Sequence, residues 1–118
     1  MFAPGAWLLA FLVTVAVEAP VVLVLTRGSE IGVARRLALV VFAQLATHPL
    51  VWFVFPRLVG LTGNGAATLS ELWAWLAEAA FYALVLRGVS VTRALGISAL
   101  ANGASVAAGV LLARLGLG

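Results

Sequence analysis

The stretches EAPVVLVLTRG at residues 18–28 and EAAFYALVLRG at residues 78–88 decide the fold of this chain. Each begins with Glu-Ala, continues through seven mostly apolar residues and ends with Arg-Gly. Both glutamates lie inside apolar runs that are long enough to span a membrane. A carboxylate costs several kcal/mol to hold in hydrocarbon. Two glutamates at matching positions in apolar runs therefore require a structural or functional explanation.

The composition is that of a membrane protein. Of the 118 residues, 64% are hydrophobic and only 9% are charged, and the mean hydropathy is +1.19. So few charged side chains cannot cover a water-facing surface of the ordinary kind. The chain has four apolar segments, each close to the ~20 residues that cross a bilayer. They predict an all-α integral membrane four-helix bundle that forms a single domain. The predicted helices are about 5–26, 37–55, 69–86 and 94–113.

The first apolar segment is expected to be a retained helix rather than a signal peptide. It has no basic region before its apolar core, and Pro20 directly follows the only small-residue site. Both features oppose cleavage. There is no cysteine, so disulfides, thiolate metal sites and thiol nucleophiles are excluded.

The matching stretches predict an internal duplication of a helical hairpin. A second match follows the first: AQLAT at residues 43–47 corresponds to ANGAS at residues 101–105, and Arg35 and Arg93 precede these by eight residues. The offset between the halves falls by two residues from the first match to the second, which a shorter loop explains. Since both hairpins enter from the same side, their pseudo-twofold axis would run along the membrane normal. The predicted repeats are residues 1–58 and 66–118.

The arginines predict the orientation in the membrane. Five of the seven basic residues fall in the loops after the first and third helices. These are Arg27, Arg35, Arg36, Arg87 and Arg93, against Arg57 and Arg114 on the opposite side. Basic residues in short loops favour the cytoplasmic side, and the four tryptophans fall toward the other ends of the helices, as in an interfacial belt. We therefore expect both termini outside the cytoplasmic membrane of a bacterium or archaeon.

Four different helices each offer a polar side chain at one depth. Glu18 and Glu78 precede a loop arginine by nine residues, and Gln44 and Asn102 follow one by nine residues. At 1.5 Å per residue, all four lie roughly 13 Å in from the cytoplasmic arginines. His48 lies one turn further out, on the Gln44 face of its helix. We expect these five residues to form one substrate-binding or ion-binding site.

The chemistry of these residues predicts a proton or a hard cation as the occupant. Two adjacent carboxylates cannot both ionise easily without a counter-charge. Oxygen ligands suit protons, Na⁺, Mg²⁺, Ca²⁺ or Mn²⁺, whereas a single histidine without cysteine disfavours zinc and copper. Candidate metal ligands are Glu18, Glu78 and His48, and a bound cation is the only cofactor expected. The alternative is structural: each glutamate is protonated and hydrogen-bonds Gln44 or Asn102. His48 either handles protons, binds metal or packs.

Four further polar residues are candidates for a pathway or for support of the site: Glu71, Tyr82, Thr47 and Ser105. Thr68 and Glu71 match a Ser/Thr-x-x-Glu capping box at the predicted start of the third helix, after a turn at residues 63–65. Glu71 is therefore either a cap or an outward extension of the pathway. Tyr82 follows Glu78 by one turn and either donates to it, lines an inner entrance or packs in the core.

Two prolines lie close to the polar layer. Pro20 frees the carbonyl oxygen of Ala16, and Pro49 that of Leu45. These oxygens are either additional cation ligands or part of ordinary kinks in which the hydroxyl of Thr14 or Thr47 satisfies the backbone.

Three hypotheses of function follow. The first is a small membrane transporter or channel subunit that moves protons or a hard cation. The second is an intramembrane enzyme or metal-binding protein that uses Glu18, Glu78 and His48 for acid–base or ligand roles. The third is an accessory subunit whose polar layer only specifies helix pairing. There is no His-Glu-x-x-His motif and no Gly-rich phosphate loop, so transport is favoured over catalysis.

The partners expected are the lipid bilayer and further copies of the chain. Four helices enclose little interior space, so a solute that crosses the membrane would need a homodimer or a larger assembly. The net charge of +3 comes from arginines in membrane loops, and no nucleic acid is expected as a partner.

Overall fold

The protein folds into four α-helices. The computed structural model describes residues 4–50, 53 and 64–116. Within these residues there is no β-strand, so the predicted all-α class and helix number are confirmed. The helices are α1 (Pro4–Leu25), α2 (Val33–Pro49), α3 (Asn64–Val85) and α4 (Val91–Arg114).

Short turns make α1–α2 and α3–α4 into hairpins. In the second turn Gly88 has a φ of +79°, a conformation that favours glycine. Ser90 then caps α4, because its Oγ accepts a hydrogen bond from the Arg93 N–H at 3.1 Å. The Arg93 guanidinium donates across to the Leu25 carbonyl at the end of α1, at 3.0 Å. Both turns therefore lie at the same end of the bundle, here called the turn end; the other end, where α1 and α3 begin, is called the terminal end.

Arg36 fixes the carboxyl end of α1. Its Nη1 donates to the Leu23 carbonyl at 3.1 Å and to Thr26 Oγ1 at 2.9 Å, and its Nε donates to the Ile31 carbonyl at 2.9 Å. The side chain is buried, with 7% of its surface exposed. A cation at a helix C-terminus satisfies free carbonyls and complements the helix dipole. Arg36 therefore stabilises the turn between α1 and α2 as well as carrying charge.

The helices pack in a ring. α1 contacts α2 and α4, and α3 contacts the same two helices, so the glutamate-bearing helices α1 and α3 lie diagonally. The two hairpins also bury corresponding positions. In and just after α1 these are Glu18, Ala19, Val22 and Thr26, and in and just after α3 they are Glu78, Ala79, Tyr82 and Leu86. The duplication itself stays a prediction.

Two of the helices are long and apolar enough to cross a membrane, by length and composition. Within the described residues these are Trp7–Leu25 of α1 and Val91–Arg114 of α4. Large apolar side chains are exposed on all four helices, whereas several polar side chains are buried between them. Examples of the exposed residues are Leu12, Val24, Phe42, Leu45, Leu76, Leu84, Leu100 and Leu111.

The predicted beginning of α3 was wrong. The helix starts at Asn64 rather than near residue 69, so the turn predicted at residues 63–65 reaches into it. The N-cap residue of a capping box must have a non-helical backbone, whereas Thr68 lies inside the helix. Thr68 and Glu71 do not form a capping box at its start. Ala66 and Ala67, which come after Gly65, are strong helix formers and favour the earlier start.

The bounds of α2 also differ from the prediction. The helix begins at Val33, and its α-helical part ends at Pro49, after which Leu50 and Phe53 are π-helical. Proline supplies no N–H to the helical ladder, so a change of hydrogen-bond pattern at this point is expected. The predicted helix end near Pro56 and Arg57 lies outside the described residues.

Candidate functional site

Gln44 joins the two buried glutamates. Its Nε2 donates to Glu18 Oε1 at 2.8 Å and to Glu78 Oε1 at 3.0 Å. α2 lies between α1 and α3 in the ring, so its side chain can reach both helices. Glu18 and Glu78 are fully buried, and Gln44 is 2% exposed. The structure therefore brings the two carboxyl groups and one amide together at the centre of the bundle.

Glu78 receives further hydrogen bonds from neutral side chains. Thr47 Oγ1 lies 3.3 Å from Glu78 Oε2 and 3.0 Å from the Ala43 carbonyl. Asn102 Nδ2 lies 3.3 Å from Glu78 Oε1. Each of the four helices thus contributes to the polar centre, and the donors around Glu78 carry no charge.

Glu18 has a poorer set of donors. Its Oε1 accepts from Gln44, but its Oε2 has no hydrogen-bond donor within the described part of the chain. Ser105 lies beside this carboxyl group, but its hydroxyl donates to the Asn102 carbonyl at 3.0 Å. Buried polar atoms are nearly always paired. An unpaired carboxylate oxygen at this depth therefore indicates a place where something positive can bind.

A cavity of about 190 Å³ adjoins the polar centre. It runs from the glutamates toward the terminal end of the bundle, because in every helix its lining residues lie on that side of the centre. All five residues predicted for the binding site line it, together with the predicted Glu71, Thr47 and Ser105. The lining residues are Ala10, Thr14, Glu18, Gln44, Thr47, His48, Glu71, Ala74, Glu78, Asn102, Ser105 and Val106.

His48 packs among aromatic side chains at the edge of this cavity. The centroid of its ring lies 5.8 Å from that of Phe11, edge to face, and 6.2 Å from that of Trp7. Trp7 and Phe11 are four residues apart on α1 and also stack on each other at 5.6 Å. Sequence reasoning missed this aromatic contact, although the spacing of Trp7 and Phe11 places both on the face of α1 that carries Glu18.

The proposed metal ligands do not form a metal centre. Nowhere in residues 4–50, 53 and 64–116 do three His, Cys, Asp or Glu side chains group so that they could hold an ion together. Glu18, Glu78 and His48 line the same cavity without meeting that condition. The donor set is two carboxyls, amides and hydroxyls, which fits a proton or a monovalent hard cation better than a transition metal.

Tyr82 lies on the other side of the glutamates and not in the cavity. It is fully buried, and its hydroxyl has no partner among the described residues, so it does not donate to Glu78 here. It packs in an apolar cluster that fills the bundle between the glutamates and the turn end. The cluster consists of Ala19, Val22, Leu39, Val40, Tyr82, Leu86, Ala94, Ile97 and Ala101.

Pro20 does not break α1 near the site, whereas the α-helical part of α2 ends at Pro49. α1 continues through Pro20 to Leu25. The Thr47 hydroxyl lies against the carbonyl of Ala43 rather than that of Leu45. Thr14 lines the cavity one turn from Glu18.

The arrangement can hold one positive charge. The Glu18 and Glu78 carboxyl groups adjoin each other, and a hydrogen bond between two carboxyl groups requires a proton on one of them. Two negative charges at this separation repel strongly in a medium of low dielectric constant. A proton or a small cation between them relieves that repulsion.

No protein-family model, curated protein or solved structure matches this chain. The chemistry of the Glu18–Gln44–Glu78 centre therefore carries the functional argument.

Proposed function

We propose that this chain is an integral membrane four-helix bundle that binds protons or a hard cation at Glu18 and Glu78 and moves them across the bilayer as a small transporter subunit. One observation carries the proposal: a single amide, Gln44 Nε2, bridges two fully buried carboxyl groups beside a polar cavity. Intramembrane carboxyl groups that face a cavity usually serve ion or proton pathways.

The distribution of polarity supports a bilayer as the solvent. Leu84 is 84% exposed and Leu100 is 60% exposed, while Glu18, Glu78 and Ser98 are fully buried. A water-soluble bundle would show the reverse pattern, because exposing apolar surface to water is costly. In lipid, apolar side chains face outward and polar ones hold the helices together. With the loop arginines at the turn end, the proposal places that end in the cytoplasm and both termini outside.

Access from one side supports a transporter rather than an open channel. The cavity reaches the glutamates from the terminal end, and the apolar cluster around Tyr82 and Val22 fills the side toward the turn end. A dry, packed cluster of this kind blocks ions. Passage to the cytoplasm then requires the cluster to separate, in this chain or at a contact with a second copy. We expect a homodimer or larger assembly for that reason.

The residues take different roles in this proposal. Glu18 and Glu78 bind and release the charge, because they are the only fully buried acidic side chains in the described part of the chain. Gln44 and Asn102 orient the carboxyl groups. His48 and Glu71 line the cavity further toward the terminal end, where they would meet an entering cation or proton first.

The decisive experiment is flux into proteoliposomes, across a panel of cations and with a pH-sensitive dye inside. E18Q and E78Q should each lose the flux that the wild-type protein shows, because a neutral amide cannot release a charge. E30Q is the matched control: it makes the same chemical change at an exposed residue in the α1–α2 turn and should retain the flux.

Two outcomes would count against transport. No flux of any cation by a folded wild-type oligomer would exclude the transporter proposal. If E18Q and E78Q both keep assembly and cellular function, the polar centre is structural and the chain is an accessory subunit.

A further inference from the structure

The corresponding amide side chains of the two hairpins differ by one methylene group. Gln44 in α2 and Asn102 in α4 occupy corresponding positions in the two hairpins. Gln44 reaches both glutamates, at 2.8 Å and 3.0 Å. If the halves were equivalent, the side chain at position 102 would also bridge Glu78 and Glu18.

Asn102 is too short to make that second bridge. Its Nδ2 lies 3.3 Å from Glu78 Oε1, and it is held toward its own helix by Ser98, at 2.9 Å from the carbonyl and 3.2 Å from Oγ. Nothing from α4 donates to Glu18 Oε2, which is left without a donor in the described chain. A glutamine at position 102 would carry its amide one carbon–carbon bond further from the α4 backbone than Asn102 does.

The unpaired oxygen is itself buried, but the residue that carries it lines the cavity. Glu18, Ser105 and Asn102 all line the cavity that opens toward the terminal end. An occupant of the cavity therefore adjoins Glu18, with Ser105 beside the carboxyl group. On the opposite side, the Gln44 N–H groups already point at both carboxyls, so a cation cannot bridge them there.

We propose that the shorter side chain of Asn102 leaves a binding position for a single monovalent cation, H⁺ or Na⁺, at Glu18 Oε2 beside Ser105. This inference rests on the proposed function and names the place and charge of the occupant. A divalent ion is disfavoured, because Ca²⁺ takes six to eight oxygen ligands and Mg²⁺ needs a near-ideal octahedron, while the Gln44 donors occupy one side of the carboxyl pair.

The substitution N102Q tests the inference, because its longer amide should hydrogen-bond the Glu18 oxygen that is proposed to bind the cation. Thermal unfolding of the purified protein in detergent is followed over a Na⁺ series at fixed pH, with choline keeping the ionic strength constant, and over a pH series in choline alone. A cation that binds only the folded state raises the melting temperature. The wild-type protein should respond in one series, which identifies Na⁺ or H⁺ as the occupant.

N102Q should be more stable than the wild-type protein without the cation, and its response to the cation should weaken about tenfold or more, because the new amide hydrogen-bonds the oxygen that the cation used. N64Q is the matched control: it lengthens the only other asparagine of the chain, 14 residues before Glu78 on α3 and about 21 Å away along the helix. N64Q should respond as the wild-type protein does.

Several results would overturn the inference. These are an unchanged response in N102Q, a response to Ca²⁺ or Mg²⁺ that exceeds both monovalent series, or no response in the wild-type protein. If N102Q does not unfold cooperatively, E18Q and S105A replace it in the test. E18Q should abolish the dependence of the melting temperature on the cation, and S105A should weaken it. An unchanged dependence in both variants would reject the binding position. Flux measurements test transport separately. Flux that persists in N102Q would reject the binding position and leave the transporter proposal standing. Cation-dependent stability without any flux would support the binding position and reject the transporter proposal.

Discussion

Gln44 Nε2 lies 2.8 Å from Glu18 Oε1, so a side-chain hydrogen bond joins α2 to α1 in the middle of the bundle. The same nitrogen reaches Glu78 on α3 at 3.0 Å. One amide thereby fixes the relative positions of three helices. Hydrogen bonds to charged or shared-proton carboxyl groups are stronger than those between neutral groups. The stability of the bundle should therefore depend on this residue more than on its apolar neighbours.

Replacement of Gln44 by leucine should destabilise the fold by about 1–3 kcal/mol, because it leaves Glu18 Oε1 without its donor and Glu78 Oε1 with only the longer contact to Asn102. L45A is the control, since Leu45 is 50% exposed on the outer surface of the same helix and should change stability much less. Reversible unfolding in detergent measures both. Equal stability of Q44L and wild type would mean that the bridge contributes nothing to the fold.

Arg36 and Arg35 should differ sharply although they carry the same charge and are adjacent in the sequence. Arg36 is buried and donates to the carbonyls of Leu23 and Ile31, whereas Arg35 is exposed. R36M removes the cap of α1 and leaves its carbonyls unpaired, which should cost about 1–3 kcal/mol. R35M should cost little.

Hydrogen exchange in the last turn of α1 gives the second readout. R36M should speed exchange of the Thr26 amide, which is bonded to the Val22 carbonyl at 2.9 Å, and R35M should not. Similar effects of the two substitutions on stability and exchange would show that the charge of the turn end matters and the individual contacts do not.

Much of this structure follows from where polar residues interrupt apolar runs. Glu18, Gln44, Glu78 and Asn102 could be assigned to one layer because helical rise converts sequence spacing into depth. Which atoms would meet could not be assigned, since the difference between Gln44 and Asn102 matters only when the helices are placed within hydrogen-bonding distance.

Local patterns were less reliable than periodic ones. Thr68 and Glu71 have the spacing of a capping box, but the same spacing occurs by chance inside a helix, and only the backbone distinguishes the two. The sequence does carry a signal for the inward direction of Arg36, because this residue lies seven positions before Ala43, close to two full helical turns, and hence on nearly the same helix face.

The direction of access to the site can be tested because the chain has no cysteine, so single cysteines are unique labels. T14C lies on the cavity lining and V22C in the apolar cluster. A membrane-impermeant maleimide applied from the terminal end should label T14C and leave V22C unlabelled in native membranes. A113C and E30C, at exposed positions near opposite ends of the bundle, should be labelled from outside and from the cytoplasm respectively. The opposite pattern for this pair would invert the proposed topology.

Tyr82 offers the sharpest test of how the site is closed on its inner side. Its hydroxyl is buried without a partner in the described structure and its ring belongs to the apolar cluster. Y82F removes only that unpaired polar atom, so it should leave stability unchanged or raise it, because no hydrogen bond is lost and no group is left unsatisfied. Y82A should instead lose about 3–5 kcal/mol, because it empties a ring-sized volume in the core.

Flux measured in the same two variants separates packing from chemistry. If the ring blocks the inner side by packing alone, Y82F should move cations at the wild-type rate. Y82A, where it folds, should leak cations, and the double variant Y82A/E18Q should leak them equally. Loss of flux in Y82F with unchanged stability would instead show that the hydroxyl donates to Glu78 in a second conformation. Tyr82 would then be part of the pathway, and the apolar cluster would be its gate.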